Sequence, residues 1–310
     1  MIESVLNMCK KLILMMSLIV FSSLLFSCST GTTTGQTEAP NYRTGSQALE
    51  MRLLNPATED FYEGEKVEIL VEYFNRGTSD IVNGEFFVSG YDLQFMNFAL
   101  SPKVFSIEGK DEFDPEGANS DILEIESQSG VKLPVNSDEF TQSIKLIGCY
   151  DYKTLATAEL CIDPDPYNRR VTQKICNMGI VSPGGQGAPV VVTSVEPIVK
   201  KNDLRLNIQI ANQGGGLLYD RDLSNEDCFL DLDKYEDLNK VDLLKVDFSG
   251  HRMSCSPSNP IRMVNGVAKI SCECKDCLST YADAYKTQIS IELEYGYRNE
   301  IVKNIRILKD

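Results

Sequence analysis

One stretch of the chain alternates without interruption. Leu204, Leu206, Ile208 and Ile210 are apolar, and Arg205, Asn207 and Gln209 stand between them. Successive side chains of an extended strand point to opposite faces, so this period demands a strand with one dry and one wet side. The run leaves through Asn212-Gln213-Gly214, and an earlier run, Lys66 to Phe74, leaves through Asn75-Arg76-Gly77. The two exits are 137 residues apart (75 against 212). That interval is too long for a solenoid repeat and fits two tandem β-domains of one plan.

The remaining strand signals agree. In the first half, strands are expected over 49–54, 81–89, 121–126, 142–149 and 154–162, with Asn83-Gly84 as a bulge. In the second half they are expected over 189–195, 240–248, 266–271, 286–297 and 301–308. Residues 278–285 read as a short helical turn, and helical periodicity is otherwise scarce. Many short strands separated by turn residues predict an all-β fold of two β-sandwiches. Domain 1 is placed at 48–177 and domain 2 at 189–310, joined by the Pro- and Gly-rich linker 178–188.

The N-terminus carries a different message. Lys10 and Lys11 precede a run from Leu12 to Phe26 that holds only Ser and apolar residues. A basic start followed by an apolar run of this length fits an export signal. It is short for a membrane span, which takes about 20 apolar residues. The run closes on Leu25-Phe26-Ser27-Cys28, which resembles the lipobox of lipoproteins. The resemblance implies cleavage of residues 1–27 and lipidation of Cys28 as the mature N-terminus. An ordinary signal peptide with a chance cysteine and an uncleaved anchor are the other readings. All three place residues 29–310 outside the cytoplasm. Residues 28–47 are small and polar, so a flexible tether is expected there.

The formal charge is −15, which argues against nucleic acid as a partner. Beyond Cys9 and Cys28, eight cysteines remain: Cys149, Cys161, Cys176, Cys228, Cys255, Cys272, Cys274 and Cys277. An even number in an exported chain favours disulfides. They divide three and five between the two halves, so complete pairing requires at least one bridge that crosses between them.

No catalytic constellation stands out, and neither a cofactor nor a metal is expected. Cys255 with Cys272, Cys274 and Cys277 could supply four thiolates to zinc, or Cys274-Lys-Asp-Cys277 a redox pair, but disulfides are the expectation. Asp163, Asp165 and Asn168, and separately Asp231, Asp233, Asp237 and Asp242, are acidic clusters read as solvated rather than as calcium sites. His251 is the only histidine, so a Ser-His-Asp site would have to use it. Its setting, Ser249-Gly250-His251-Arg252, reads as a loop. Carboxylate pairs for glycoside hydrolysis need not be local in sequence and stay open.

The repeated Asn-x-Gly exit and the paired β-domains resemble immunoglobulin-like adhesion modules of archaeal and bacterial surface proteins. Cys149-Tyr150-Asp151-Tyr152, Cys161 to Tyr167, and Gly185-Gln186-Gly187-Ala188-Pro189-Val190 are similar to surface lipoproteins of prokaryotes, small archaea in particular. The resemblance implies an immunoglobulin-like fold and a surface location, and it transfers no activity and no site residue. The chain departs from antibody-type domains in having no Trp. The expected function is non-enzymatic: a lipid-anchored protein on the outer side of the cell membrane with a structural or adhesive role toward other surface proteins. A lipoprotein that binds a solute or sugar in the cleft between the domains is the alternative, and a secreted hydrolase the second.

Overall fold

The computed structural model describes residues 41–56, 59–99, 101–167, 174–229, 232–233, 235–279 and 283–310. The expected export signal, Cys28 and the first part of the tether lie outside them. Residues 41–310 form one compact unit. In order its elements are β1 (Leu49–Asn55), β2 (Asp60–Tyr62), β3 (Glu68–Asn75), β4 (Ile81–Ser89), β5 (Lys103–Ile107), β6 (Ser120–Glu126) and β7 (Glu139–Ile162). Then follow β8 (Val190–Lys200), β9 (Asp203–Asn212), β10 (Leu217–Tyr219), α1 (Asn225–Phe229), β11 (Lys240–Phe248) and β12 (His251–Arg252). The last are β13 (Ser254–Ser256), β14 (Ile261–Arg262), β15 (Val267–Cys274) and β16 (Tyr285–Leu308). The fold is all-β, as the alternation requires.

Two of these strands organise the rest. β7 and β16 are 24 residues each and pair antiparallel along their whole length, from Glu139↔Leu308 to Ile162↔Tyr285. They run through the middle of a nine-stranded sheet ordered β12-β11-β16-β7-β4-β5, with β2, β10 and β14 attached beside it. Against it lie a three-stranded sheet, β1-β3-β6, and a four-stranded sheet, β13-β15-β9-β8. Sequence reasoning divides β7 at 150–153 and β16 at 298–300, and the structure joins both. The polar triplet Arg298-Asn299-Glu300 stays in the strand because each member has a partner. Arg298 donates to the Cys228 carbonyl at 3.1 Å, Asn299 accepts the Tyr150 hydroxyl at 2.6 Å, and Glu300 pairs with Lys145 and Arg298.

The inner faces of the three sheets form a continuous hydrophobic core. On the first half, the Tyr73 ring of β3 meets Phe86 of β4 edge-on at 5.1 Å, and Phe86 stacks on Phe105 of β5 at 4.1 Å. At the middle sit four buried tyrosines, Tyr150 and Tyr152 from β7 and Tyr295 and Tyr297 from β16. Their rings touch around a closed circuit at centroid distances of 5.9–6.4 Å.

These tyrosines explain the repeated Asn-x-Gly exit. Tyr152 donates its hydroxyl to Asn75 Oδ1 at 3.2 Å and accepts the Ser79 N–H at 3.2 Å. Tyr297 donates to Asn212 Oδ1 at 2.9 Å and accepts the Gly216 N–H at 2.8 Å. Each asparagine also takes the N–H two residues on and donates its amide to the carbonyl four residues on. The other two tyrosines repeat a second pattern. Tyr150 accepts the N–H of Leu49, where β1 starts, and Tyr295 that of Val190, where β8 starts, both at 3.2 Å. Buried hydroxyls need such partners, because an unmet one costs about 1–3 kcal/mol. The two halves therefore share one hydrogen-bonding plan, with β7 and β16 exchanging roles.

The glycines in the motif have a steric cause. A Cβ on Gly77 would stand 1.9 Å from the Tyr152 hydroxyl oxygen and 2.6 Å from the Gly187 carbonyl. One on Gly214 would stand 2.6 Å from the Tyr297 hydroxyl and 2.3 Å from Pro189 Cβ. Gly77→Ala and Gly214→Ala are each expected to lower stability by about 3 kcal/mol, at the upper end for overpacking. Gly179→Ala, where nothing lies within 4 Å, serves as the control in urea denaturation. Equal midpoints for all three variants would refute the steric account.

The connector 178–188 is stitched to both halves. Val181 bridges Val195, Gln186 exchanges two hydrogen bonds with the Val192 backbone, and Thr78 N–H donates to the Gly187 carbonyl at 2.8 Å. The end of the expected tether is seated as well, since Lys110 Nζ donates to the Thr44 carbonyl at 2.6 Å. Residues 278–279 and 283–285, the described part of the expected helical turn, are not helical. The helix that forms among the described residues, α1, is not among the elements that sequence reasoning places. Ser224 and Asp227 cap it reciprocally, with Asp227 N–H donating to Ser224 Oγ at 3.2 Å and Ser224 Oγ donating to Asp227 Oδ2 at 2.7 Å.

Candidate functional site

All eight cysteines that follow Cys28 pair: Cys149–Cys228, Cys161–Cys176, Cys255–Cys272 and Cys274–Cys277. Cys149–Cys228 is the crossing bridge that the three-and-five division requires. It ties α1 to β7 across the outer face of the large sheet. There Phe87, Ile147, Tyr219 and the two half-cystines make a second small core, with Phe229 stacked on Phe87 at 4.7 Å. The four thiols weighed for zinc are consumed in two separate disulfides. Among the described residues no group of three or more His, Cys, Asp or Glu side chains is placed to hold a metal ion.

The acidic clusters have local structural causes. Asp163 is nearly buried, accepts the Asp165 N–H at 2.9 Å and pairs with Lys174, whose Nζ also donates to the Asp165 carbonyl at 2.9 Å. A lysine thus supplies the positive charge in that loop, and Asn168 lies outside the described residues. Asp233 accepts the N–H groups of Glu236 and Tyr235, which hold its carboxyl below the usual aspartate value. Asp237 accepts the Asp233 N–H at 2.7 Å, closing the same turn. Asp242 sits apart on β11, opposite Glu294. Desolvation raises its pKa, and Asp231 lies outside the described residues.

His251 is exposed on β12, at the edge of the large sheet. With Arg252, Ser254, Glu273 and the Cys274–Cys277 turn it lines an open cavity of about 640 Å³. The fold thus joins the lone histidine to the cysteine cluster, two features that sequence reasoning treats separately. Among the described residues no hydrogen bond links His251 to Ser254 or to a carboxylate.

A second open site lies on the solvent face of β8-β9-β15-β13. Strand register dictates its layout. Ser194, Gln209 and Lys269 form one cross-strand row, and Glu196, Asn207, Ser271 and Ser256 form the next. Together with Ile180 they line a groove of about 440 Å³. The two middle strands, β9 and β15, are fixed by ladders on both sides, while Ile208, Ile210, Leu206 and Ile270 are buried on the opposite face. Asn207 Nδ2 donates to Glu196 Oε2 at 3.1 Å, which orients both groups across the strands. The array offers amide, hydroxyl, ammonium and carboxylate groups on a rigid floor, suited to hydrogen bonding with a polar surface. Sequence reasoning saw Asn207 and Gln209 only as the wet side of a strand. Their cross-strand neighbours come from β8 and β15, so no local pattern announces the rows.

No protein-family model matches the chain, and no curated protein matches it. Among solved structures, the secreted serine protease VesC from Vibrio cholerae aligns over 80% of this chain and 49% of its own, at 12% identity and a TM-score of 0.18. This chain thus spans about half the length of that protease. The CupB6 tip adhesin from Pseudomonas aeruginosa aligns over 86% of this chain and 96% of its own, at 8% identity and a TM-score of 0.16. Likenesses at these scores support neither a fold assignment nor a function.

Proposed function

We propose that the protein is a lipid-anchored, non-enzymatic component of the cell surface, built from two immunoglobulin-like β-sandwich halves fused along β7 and β16. Its role is adhesive: it presents a rigid polar groove to other surface proteins. The observation that carries the reading is the groove on β8-β9-β15-β13, where two rows of hydrogen-bonding side chains stand on a disulfide-stiffened sheet. Interfaces of this kind gain affinity from an array held in register, because little side-chain and backbone freedom remains to be lost on docking. Four disulfides suit an oxidising compartment, as an export signal and a lipidated Cys28 require.

The test is site-specific photo-crosslinking in intact cells. A photo-reactive residue at Asn207 is expected to give a discrete adduct with another envelope polypeptide. The same probe at Glu124 on the outer strand β6 is expected to give none. Adducts of equal yield from both positions, or none from Asn207, would remove the adhesive reading. The amide and hydroxyl lining also matches polyhydroxylated ligands, so an adduct of glycan mass would favour the sugar-binding reading. Intact mass of the membrane-extracted protein tests the anchor: a mature N-terminus at Cys28 with added lipid mass is expected.

A further inference from the structure

The Cys274–Cys277 bridge differs from its companions in place and setting. It closes a loop with a sequence separation of 3, against 15, 17 and 79 for the others. Cross-linking constrains the unfolded chain less as the loop shortens, so this bridge contributes least to holding the fold. The turn is secured without it. Asp276 N–H donates to Asp203 Oδ1 at 2.9 Å and Leu278 N–H to the Asn202 carbonyl at 2.9 Å, which clips the turn to the β8–β9 hairpin. Cys274 ends β15 opposite Leu204 and is buried, whereas Cys277 is only half-buried. The cavity of about 640 Å³ opens directly onto the pair. Arg252 and Lys275 line it with two carboxylates, Asp276 and Glu273, the latter engaged by Arg205 at 3.6 Å. In a chain of net charge −15, an opening whose cations match its carboxylates in number stands apart.

We propose that Cys274–Cys277 is a redox-active disulfide that exchanges with small thiols admitted through this cavity past Arg252. The incoming thiolate attacks Cys277 Sγ, the more accessible sulfur, and forms a mixed disulfide there. The Cys274–Cys277 bond breaks and Cys274 leaves as a thiolate at the cavity that Arg252 and Lys275 help to line. A second thiolate then attacks the thiol-derived sulfur of the mixed disulfide, releasing the oxidised small disulfide and the Cys277 thiolate. Two thiols are oxidised, the bridge takes up two electrons, and the two cysteine sulfurs take their protons from water. The hydrogen bonds at Asp276 and Leu278 keep both sulfurs in place for the reverse step. This activity is independent of the adhesive groove and stands or falls separately.

The experiment uses the full-length protein in detergent micelles, titrated with 2-mercaptoethanesulfonate, quenched with acid and differentially alkylated for peptide mass spectrometry. The Cys274 and Cys277 peptides are expected to label at thiol concentrations at least 10-fold below those that open the other three bridges. Arg252→Ala is expected to slow opening by this anionic thiol about 5-fold at low salt and to leave opening by cationic cysteamine within 2-fold. Four bridges opening together, or this pair opening last, would overturn the proposal. So would an Arg252→Ala effect of equal size on both thiols, which would mark Arg252 as merely structural. A circular dichroism spectrum unchanged on selective reduction is expected, and loss of the sheet signal would show that the bridge is structural after all.

Discussion

Replacing both Cys149 and Cys228 by alanine is expected to lower the unfolding free energy by about 4.5 kcal/mol, the largest loss among the four bridges. The bridge closes a loop with a sequence separation of 79, and the chain-entropy relation gives about that figure for such a loop. The same relation gives about 3 kcal/mol for Cys161–Cys176, separation 15, and about 1.6 kcal/mol for Cys274–Cys277, separation 3. Position reinforces the ranking. Cys228 lies in α1, a helix of five residues that is far too short to persist alone. It holds because the bridge, the Phe87–Phe229 stack and the Arg298 bond to the Cys228 carbonyl fasten it over the sheet. Without the bridge, amide exchange should rise first across residues 217–239 and only later in β7 and β16. Urea denaturation of the three alanine pairs measures the ranking. A smaller loss for the Cys149/Cys228 pair than for the Cys161/Cys176 pair would show that native-state contacts, not chain closure, set the value of these bridges.

Local signals carried the fold class, and distant partners escaped. Strands β4 and β11 were legible to the residue, because alternation and turn residues are written in adjacent positions. The Asn-x-Gly repeat was legible as a pattern but not as a mechanism. Its partners, Tyr152 and Tyr297, lie 77 and 85 residues further on and belong to the long strands rather than to the motif. The continuity of β7 and β16 escaped for a related reason. Near Ile147 and Cys149, and again near Glu294 and Gly296, the outer face is covered by residues within 217–229 and 235–239, so buried residues follow one another and period two is lost. Gly296 shows the cost of that cover, since a Cβ there would stand 2.3 Å from the Tyr219 ring. Helix α1 left a readable trace in Ser224-Asn225-Glu226-Asp227, a reciprocal cap, but five residues show no periodicity to support it. The crossing disulfide followed from counting alone, whereas the cavity that unites His251 with Cys274 and Cys277 depends on β12 and β15 meeting in space.

Raising the pH above 10 is expected to unfold the protein steeply, with a midpoint near pH 11–12. Tyr150, Tyr152, Tyr219 and Tyr295 are buried to within 1% of complete exclusion from solvent. Desolvation pushes each phenol well above its ordinary value, and their hydrogen bonds only partly offset it. Tyr297 shifts in the same direction for the same first cause. In the unfolded chain these groups titrate near pH 10. Their contribution is therefore whole below that pH. Above it the unfolded state sheds protons that the folded state keeps, and stability falls until the folded groups titrate in turn. Each such phenol costs about 1.4 kcal/mol per pH unit in that window, so the five together cost about 7 kcal/mol per unit. A domain stable by 5–15 kcal/mol at neutral pH loses that margin within about one to two units. Circular dichroism and phenolate absorbance, followed together, should show the sheet collapsing as the last phenols ionise. Tyr219→Phe keeps the ring over Gly296 while removing one of the five titrating groups, so it should lower the alkaline slope by about a fifth. It also gives up the bond to Asn225 Oδ1, at 3.2 Å, which bears on stability at neutral pH but not on the slope. A sheet signal that persists to pH 13, or an unchanged slope in the variant, would show that ionisation of these buried phenols is not what unfolds the protein in alkali.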